Sequence, residues 1–108
     1  ALWEFRLHHA QARLAARRGQ KDAAWRHVEM ARRSLDADTA MAREQRRFFP
    51  YLQGYVALYT GDLPTAETQL RATLAVPGNQ NDPFYTYLLA ETLERQGRTA
   101  DARALYQQ

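Results

Sequence analysis

The sequence has no cysteine and no isoleucine, a single lysine (Lys21), five glycines and four prolines. Without cysteine there is no disulfide framework, no thiolate zinc site and no cysteine nucleophile, and no redox clue to compartment, so cytoplasm and periplasm suit the chain equally. The β-branched residues that favour strands are sparse: three valines (Val28, Val56, Val76) and a few threonines. No apolar run approaches the roughly 20 residues of a membrane-spanning helix. The chain does not open with a charged segment leading into an apolar one, so no signal peptide is expected within it. It begins at Ala1 and ends inside a helical pattern at Tyr106-Gln107-Gln108, which reads as a piece of a longer protein.

What is present is helical. Ala, Leu, Arg, Glu and Gln dominate, and these residues lose little on entering a helix. The Arg- and Ala-rich composition suits a bacterial source. At 108 residues with 45% hydrophobic and 25% charged side chains, the chain is expected to fold as one small domain, not a disordered segment. Charge is uneven: residues 1–47 carry eleven basic and six acidic groups, residues 48–108 four and six, so +5 and −2 give the overall +3.

Apolar residues recur at intervals of three and four, as in Leu2, Phe5, His9, Ala12 and Ala16. Breakers divide the pattern. Gly19 separates a helix over about 2–17 from one over 21–35. Gly61-Asp62-Leu63-Pro64 separates a helix ending near Thr60 from one over 64–75. The turn-forming run 76–83 leads through the cap Asp82 into a helix over 83–96, Gly97 ends it, and a last helix starts near Thr99. Between Asp36 and Pro50 the pattern is harder. Asp36 and Asp38 mark a helix end and a new cap, and a single helix over 39–60, irregular near 47–50, is expected because proline disfavours helix at the preceding residue.

The three glycines set a common register. Five residues after each stands alanine (Ala24, Ala66, Ala102), nine after a large apolar residue (Val28, Leu70, Tyr106), and seven before a small one (Ala12, Gly54, Ala90). Small residues on both sides of a tight turn let two helices approach closely. This pattern resembles the tetratricopeptide repeat, a helix-turn-helix unit of about 34 residues, over most of residues 5–108. Units fall near 5–38, 47–80 and 83–108, the last incomplete, with an extra helical stretch over 39–47. The chain departs from the family pattern where its tryptophan is replaced by His8, Pro50 and Thr86, and its tyrosine by Ala15, Ala57 and Leu93.

The resemblance implies an all-α fold of antiparallel helix pairs stacked in a right-handed superhelix, and a protein-interaction scaffold that is not an enzyme. It implies further that the first helices of the units line a concave groove. Carried over residue by residue, the groove-facing positions are Arg6, His9, Arg13 and Arg17; Phe48, Tyr51, Tyr55, Leu58 and Tyr59; and Phe84, Tyr87, Glu91 and Arg95. Such an aromatic and Arg-lined stripe suits apolar anchors flanked by carboxylates. The Lys/Asn clamp of chaperone-tail-binding members is replaced by Arg13 and Leu52, so that ligand is not expected. At the last unit Leu105 and Tyr106 are expected to leave an apolar face for a second copy or for further helices.

A different class stays open. Arg13, Arg17, Arg18, Lys21, Arg43, Arg46 and Arg47 could attract nucleic acid. No cofactor or metal is expected. His8 and His9 are adjacent and point about 100° apart on a helix, and His27 has no ligand type four residues away on either side. Glu91 and Glu94 sit beside Arg95 and Arg98, as in an exposed ion-pair cluster.

Overall fold

The computed structural model describes residues 2–36 and 39–107. Within them lie α1 (Leu2–Arg17), α2 (Lys21–Ser34), α3 (Ala40–Gln45), a 3-10 turn (Arg46–Phe48), α4 (Phe49–Thr60), α5 (Leu63–Ala75), α6 (Pro83–Arg95) and α7 (Thr99–Tyr106), with no strand among the described residues. The protein is an all-α helical repeat. α1 packs on α2, α4 on α5 and α6 on α7, and the pairs join through α1 and α2 against α4 and through α5 against α6. The result is a slab of 42 × 31 × 17 Å.

The three hairpin turns are the same object. Each turn glycine is left-handed, with φ of +74° at Gly19, +90° at Gly61 and +82° at Gly97, a conformation that costs glycine little because it has no Cβ. The following amide then donates five residues back, Gln20 to Ala15, Asp62 to Ala57 and Arg98 to Leu93, each at 2.9 Å. This is the longer bond of a Schellman ending, and it satisfies a carbonyl the helix leaves orphaned.

The register residues do what their size suggests. Ala12, Ala24, Ala66, Ala90 and Ala102 are fully buried. Val28 and Leu70 are core, whereas Tyr106 is 49% exposed. Asp62 and Asp82 cap α5 and α6, accepting from the Thr65 amide (3.3 Å) and from the Phe84 and Tyr85 amides (2.9 and 3.3 Å).

The expected single helix over 39–60 is instead three elements. The cap is Thr39, whose hydroxyl accepts from the Ala42 amide at 3.0 Å; the cap expected at Asp38, and the unit boundary there, lie outside the described residues. Pro50 has no N–H to bond four residues back, and the Arg46 carbonyl accepts from the Phe49 amide in a tighter turn. Phe49 is helical (φ −72°, ψ −42°) despite preceding proline, and its ring is buried in the core.

Two buried clusters share α4 as a common wall. Leu52 and Val56 close the cluster built on α1 and α2, and Tyr55, Ala57 and Leu58 belong to the one built on α5, α6 and α7. A helix with apolar residues on every side is a helix packed on both sides.

Candidate functional site

α1, α4 and α6, the first helices of the three pairs, bring most of the expected groove residues into one connected row. The rings of His9 and Tyr51 have centroids 5.7 Å apart, and Tyr51 in turn meets Tyr55 (6.0 Å), Phe84 (6.0 Å) and Tyr85 (5.2 Å). Tyr55 continues to Tyr59 at 4.7 Å. Offset and edge contacts of this kind add to the apolar area the rings cover.

Arginines close the far end of the row. Arg17 Nη1 donates to the Tyr55 hydroxyl at 3.2 Å, and its guanidinium carbon stands 4.6 Å from the Tyr59 ring centroid. Arg95 approaches the same ring at 5.4 Å from the opposite helix, and its Nη1 donates to the Leu58 carbonyl at 3.4 Å. Tyr59 is thus flanked by cations from α1 and α6, a favourable contact for a ring face.

Near the amino-terminal end of α1 the row borders a cavity of about 190 Å³ lined by Phe5, Arg6, His9, Arg13, Gln45, Phe48, Tyr51 and Tyr85. Five of these were expected from the sequence. Phe5, Gln45 and Tyr85 were not, although Phe5 stands one helical turn before His9 and Tyr85 follows Phe84 directly. Arg13 Nε donates to His9 Nδ1 at 3.1 Å. Burial, and then the Arg13 charge, hold His9 down to about 4, against hydrogen bonds to the Phe48 and His9 backbone. Its imidazole is therefore neutral at pH 7. Burial likewise pushes the Tyr51, Tyr59 and Tyr85 hydroxyls above their ordinary range.

The remaining expected residues divide. Phe84 and Tyr87 present open rings, 46% and 45% exposed, and Tyr87 also lines a second cavity of about 360 Å³ beside Leu105 and Tyr106. Glu91 pairs with Arg95 at 3.1 Å. Tyr55, 8% exposed, and Leu58, fully buried, are core residues that the groove offsets alone placed on its surface. Arg98 does not join Glu94; it reaches Glu67 of α5 at 2.8 Å and Asp101 at 3.1 Å.

The basic residues proposed for nucleic acid take several different roles. Arg46 donates to the Leu35 carbonyl at 2.7 Å, and Arg47 pairs with Glu44 at 3.9 Å and leans on the Phe48 ring. Arg18 and Lys21 stand exposed at the first turn, away from the cavity. His27, which has no ligand type at helical spacing, meets His8 across α1 and α2, Nδ1 to Nδ1 at 3.1 Å. Among the described residues no three histidine or carboxylate groups are placed to hold a metal ion, and no helix is long and apolar enough to cross a membrane.

Residues 83–108, which comprise α6, the Gly97 turn and α7, match the family model described as tetratricopeptide repeat. Neither the curated proteins nor the solved structures give a significant match.

Proposed function

We propose that this tetratricopeptide-like domain is a protein-interaction scaffold that takes an extended segment of a partner protein along the face of α1, α4 and α6. The observation that carries the reading is the continuous row of side chains from His9 through Tyr51 to Phe84 and Tyr85, with Tyr55 and Tyr59 leading to Arg17 and Arg95. It crosses three helices from three pairs, and it ends in rings that are still open to solvent. The matched repeat at α6 and α7 supports protein partners and a non-catalytic role for the domain.

Energy does not stand in the way. A micromolar complex needs about 8 kcal/mol, and a few well-packed aromatic and arginine anchors carry most of the binding energy in protein interfaces. The residues that contact a guest on this reading are Arg6, His9, Arg13, Arg17, Phe48, Tyr51, Tyr59, Phe84, Tyr87, Glu91 and Arg95, with Tyr55 held beneath them.

The test uses the exposed rings, because truncating Tyr55 would also open the core. The chain is applied to an array of extended peptides, and the positive peptides are retested with Phe84→Ala and Tyr87→Ala. Loss of binding at unchanged circular dichroism supports the groove. Binding that both variants retain in full rejects it.

A further inference from the structure

The wall that α1 contributes to the groove is positively charged and has no internal neutraliser. Arg6, Arg13 and Arg17 follow one another at seven and four residues, so they lie along one face of the helix. Among the described residues no carboxylate pairs with any of the three; the ion pairs involve arginines of α2, the 3-10 turn, α5, α6 and the α6–α7 turn. The acceptors that Arg13 and Arg17 do reach, the His9 ring nitrogen and carbonyl and the Tyr55 hydroxyl, include no carboxylate. The guanidinium charges therefore remain available to a guest.

Those charges stand beside an aromatic cavity. At about 190 Å³ it is somewhat larger than the about 150 Å³ that admits a benzene ring into an apolar protein cavity. Phe5, Phe48, Tyr51 and Tyr85 form its walls, Arg6 and Arg13 its polar side. Spacing constrains the guest. At about 1.5 Å per residue, Arg13 and Arg17 are separated by about 6 Å along the axis and Arg6 and Arg13 by about 10 Å, against about 6.6 Å between alternate side chains of an extended chain and about 3.3 Å per residue, so the first pair suits carboxylates two residues apart and the second a wider interval.

Resting on the groove reading above, we infer that the groove selects an acidic, extended peptide segment, with one aromatic side chain in the cavity and carboxylates facing Arg6, Arg13 and Arg17. Carboxylates accept bidentate bonds from guanidinium groups, and complementary charge favours the acidic guest over neutral and basic ones. A nucleic acid is the weaker fit. The rings meet at interplanar angles of 35° to 71° and form no parallel platform for successive bases. Arg46 is also engaged by the Leu35 carbonyl and Arg47 by Glu44.

The experiment is fluorescence polarisation of the chain with labelled Gly-Asp-Ser-Phe-Ser-Asp-Ser-Asp-Gly, its Asp→Asn and Asp→Lys counterparts, and a single-stranded RNA oligonucleotide as competitor. The acidic peptide is expected to bind roughly tenfold or more tighter than the Asn form, to weaken as salt rises, and to show no measurable binding as the Lys form. Arg6→Glu should weaken it at least roughly tenfold with unchanged circular dichroism, and Arg33→Glu, on the outer face of α2, should not. If the Asn or Lys peptide binds equally well, and Phe84→Ala still abolishes binding, the charge inference fails while the groove reading stands. If no peptide of any charge binds, both fail. If the RNA binds more tightly and displaces the peptide, the groove belongs to nucleic acid and the inference is overturned.

Discussion

A Cβ built on Gly54 would stand 2.7 Å from Leu70 Cγ and 3.3 Å from the Leu70 backbone nitrogen, so α4 and α5 touch at a point where only hydrogen fits. Leu70 is fully buried and has nowhere to move. Gly54→Ala should therefore destabilise the protein, by up to about 2 kcal/mol net. The overpacking cost of about 1–3 kcal/mol is set against the about 1 kcal/mol that alanine gains in helix propensity, and the 2.7 Å approach to a buried side chain puts it towards the upper end. Urea unfolding of the variant checks the sign, and a stabilised variant would mean the helices separate freely.

His9 ties stability to pH. Its folded value of about 4 lies below the ordinary 6.5, so the unfolded chain binds its proton more readily. The neutral imidazole supports the fold fully above 6.5, and that support is lost as pH falls from 6.5 towards 4, by at most about 3 kcal/mol. The difference between wild type and His9→Leu in urea midpoint should shrink over this window. A difference that is constant with pH would show that His9 is not buried as described.

The imidazoles of His8 and His27 stack at 5.4 Å and share one hydrogen bond between α1 and α2. Burial first, then the His8 and Arg26 charges, lower the affinity of His27 for a proton. Since the folded value is depressed, its contribution too is present above 6.5 and declines on acidification. In a proton-NMR titration the His27 midpoint should fall below the ordinary value, and in His8→Gln it should move up while staying below it. A midpoint indifferent to His8→Gln would separate the two rings.

Asn79 closes the loop after α5. Its Nδ2 donates to the buried Thr73 carbonyl at 3.0 Å. Asn79→Ala removes one of the two donors to that carbonyl, which still accepts from the Val76 amide at 3.3 Å, and should cost about 1 kcal/mol. Arg71→Ala removes an exposed pair with Glu67 and should cost under about 1 kcal/mol. Thermal unfolding of both variants ranks them, and the reverse order would contradict this picture of the loop.

The hairpins were legible because their signals are local. A glycine after a helical run needs positive φ, and alanine at a fixed distance beyond it needs only to be small. Helix ends at Arg17 and Thr60 followed from those residues, and the end at Ala75 from the turn-forming run 76–83. The stretch at 39–60 was less legible because the tighter turn at Arg46–Phe48 depends on burying Phe49, a tertiary gain that overrides the local preference before proline. The site was half legible. The offsets implied by the resemblance named His9, Tyr51 and Phe84, which the structure brings into one row, but on a helix apolar all round they could not separate the half-buried Tyr59 from the buried Leu58. Contacts that join distant positions, His8 with His27 and Arg98 with Glu67, left no trace in spacing.

With its shortest dimension at 17 Å, the slab is only two helices deep. Such a body has walls but little interior, and each pair owes its persistence to whatever lies directly beside it. Protection in hydrogen exchange should then peak along α4, which is sheltered from both sides, and decline outwards to α1 and α7, which would open singly well before the whole chain lets go. A guest laid across the face would bridge outer pairs that otherwise communicate through α4 and α5, so its arrival should be felt most at the margins, as slower opening of helices far from one another.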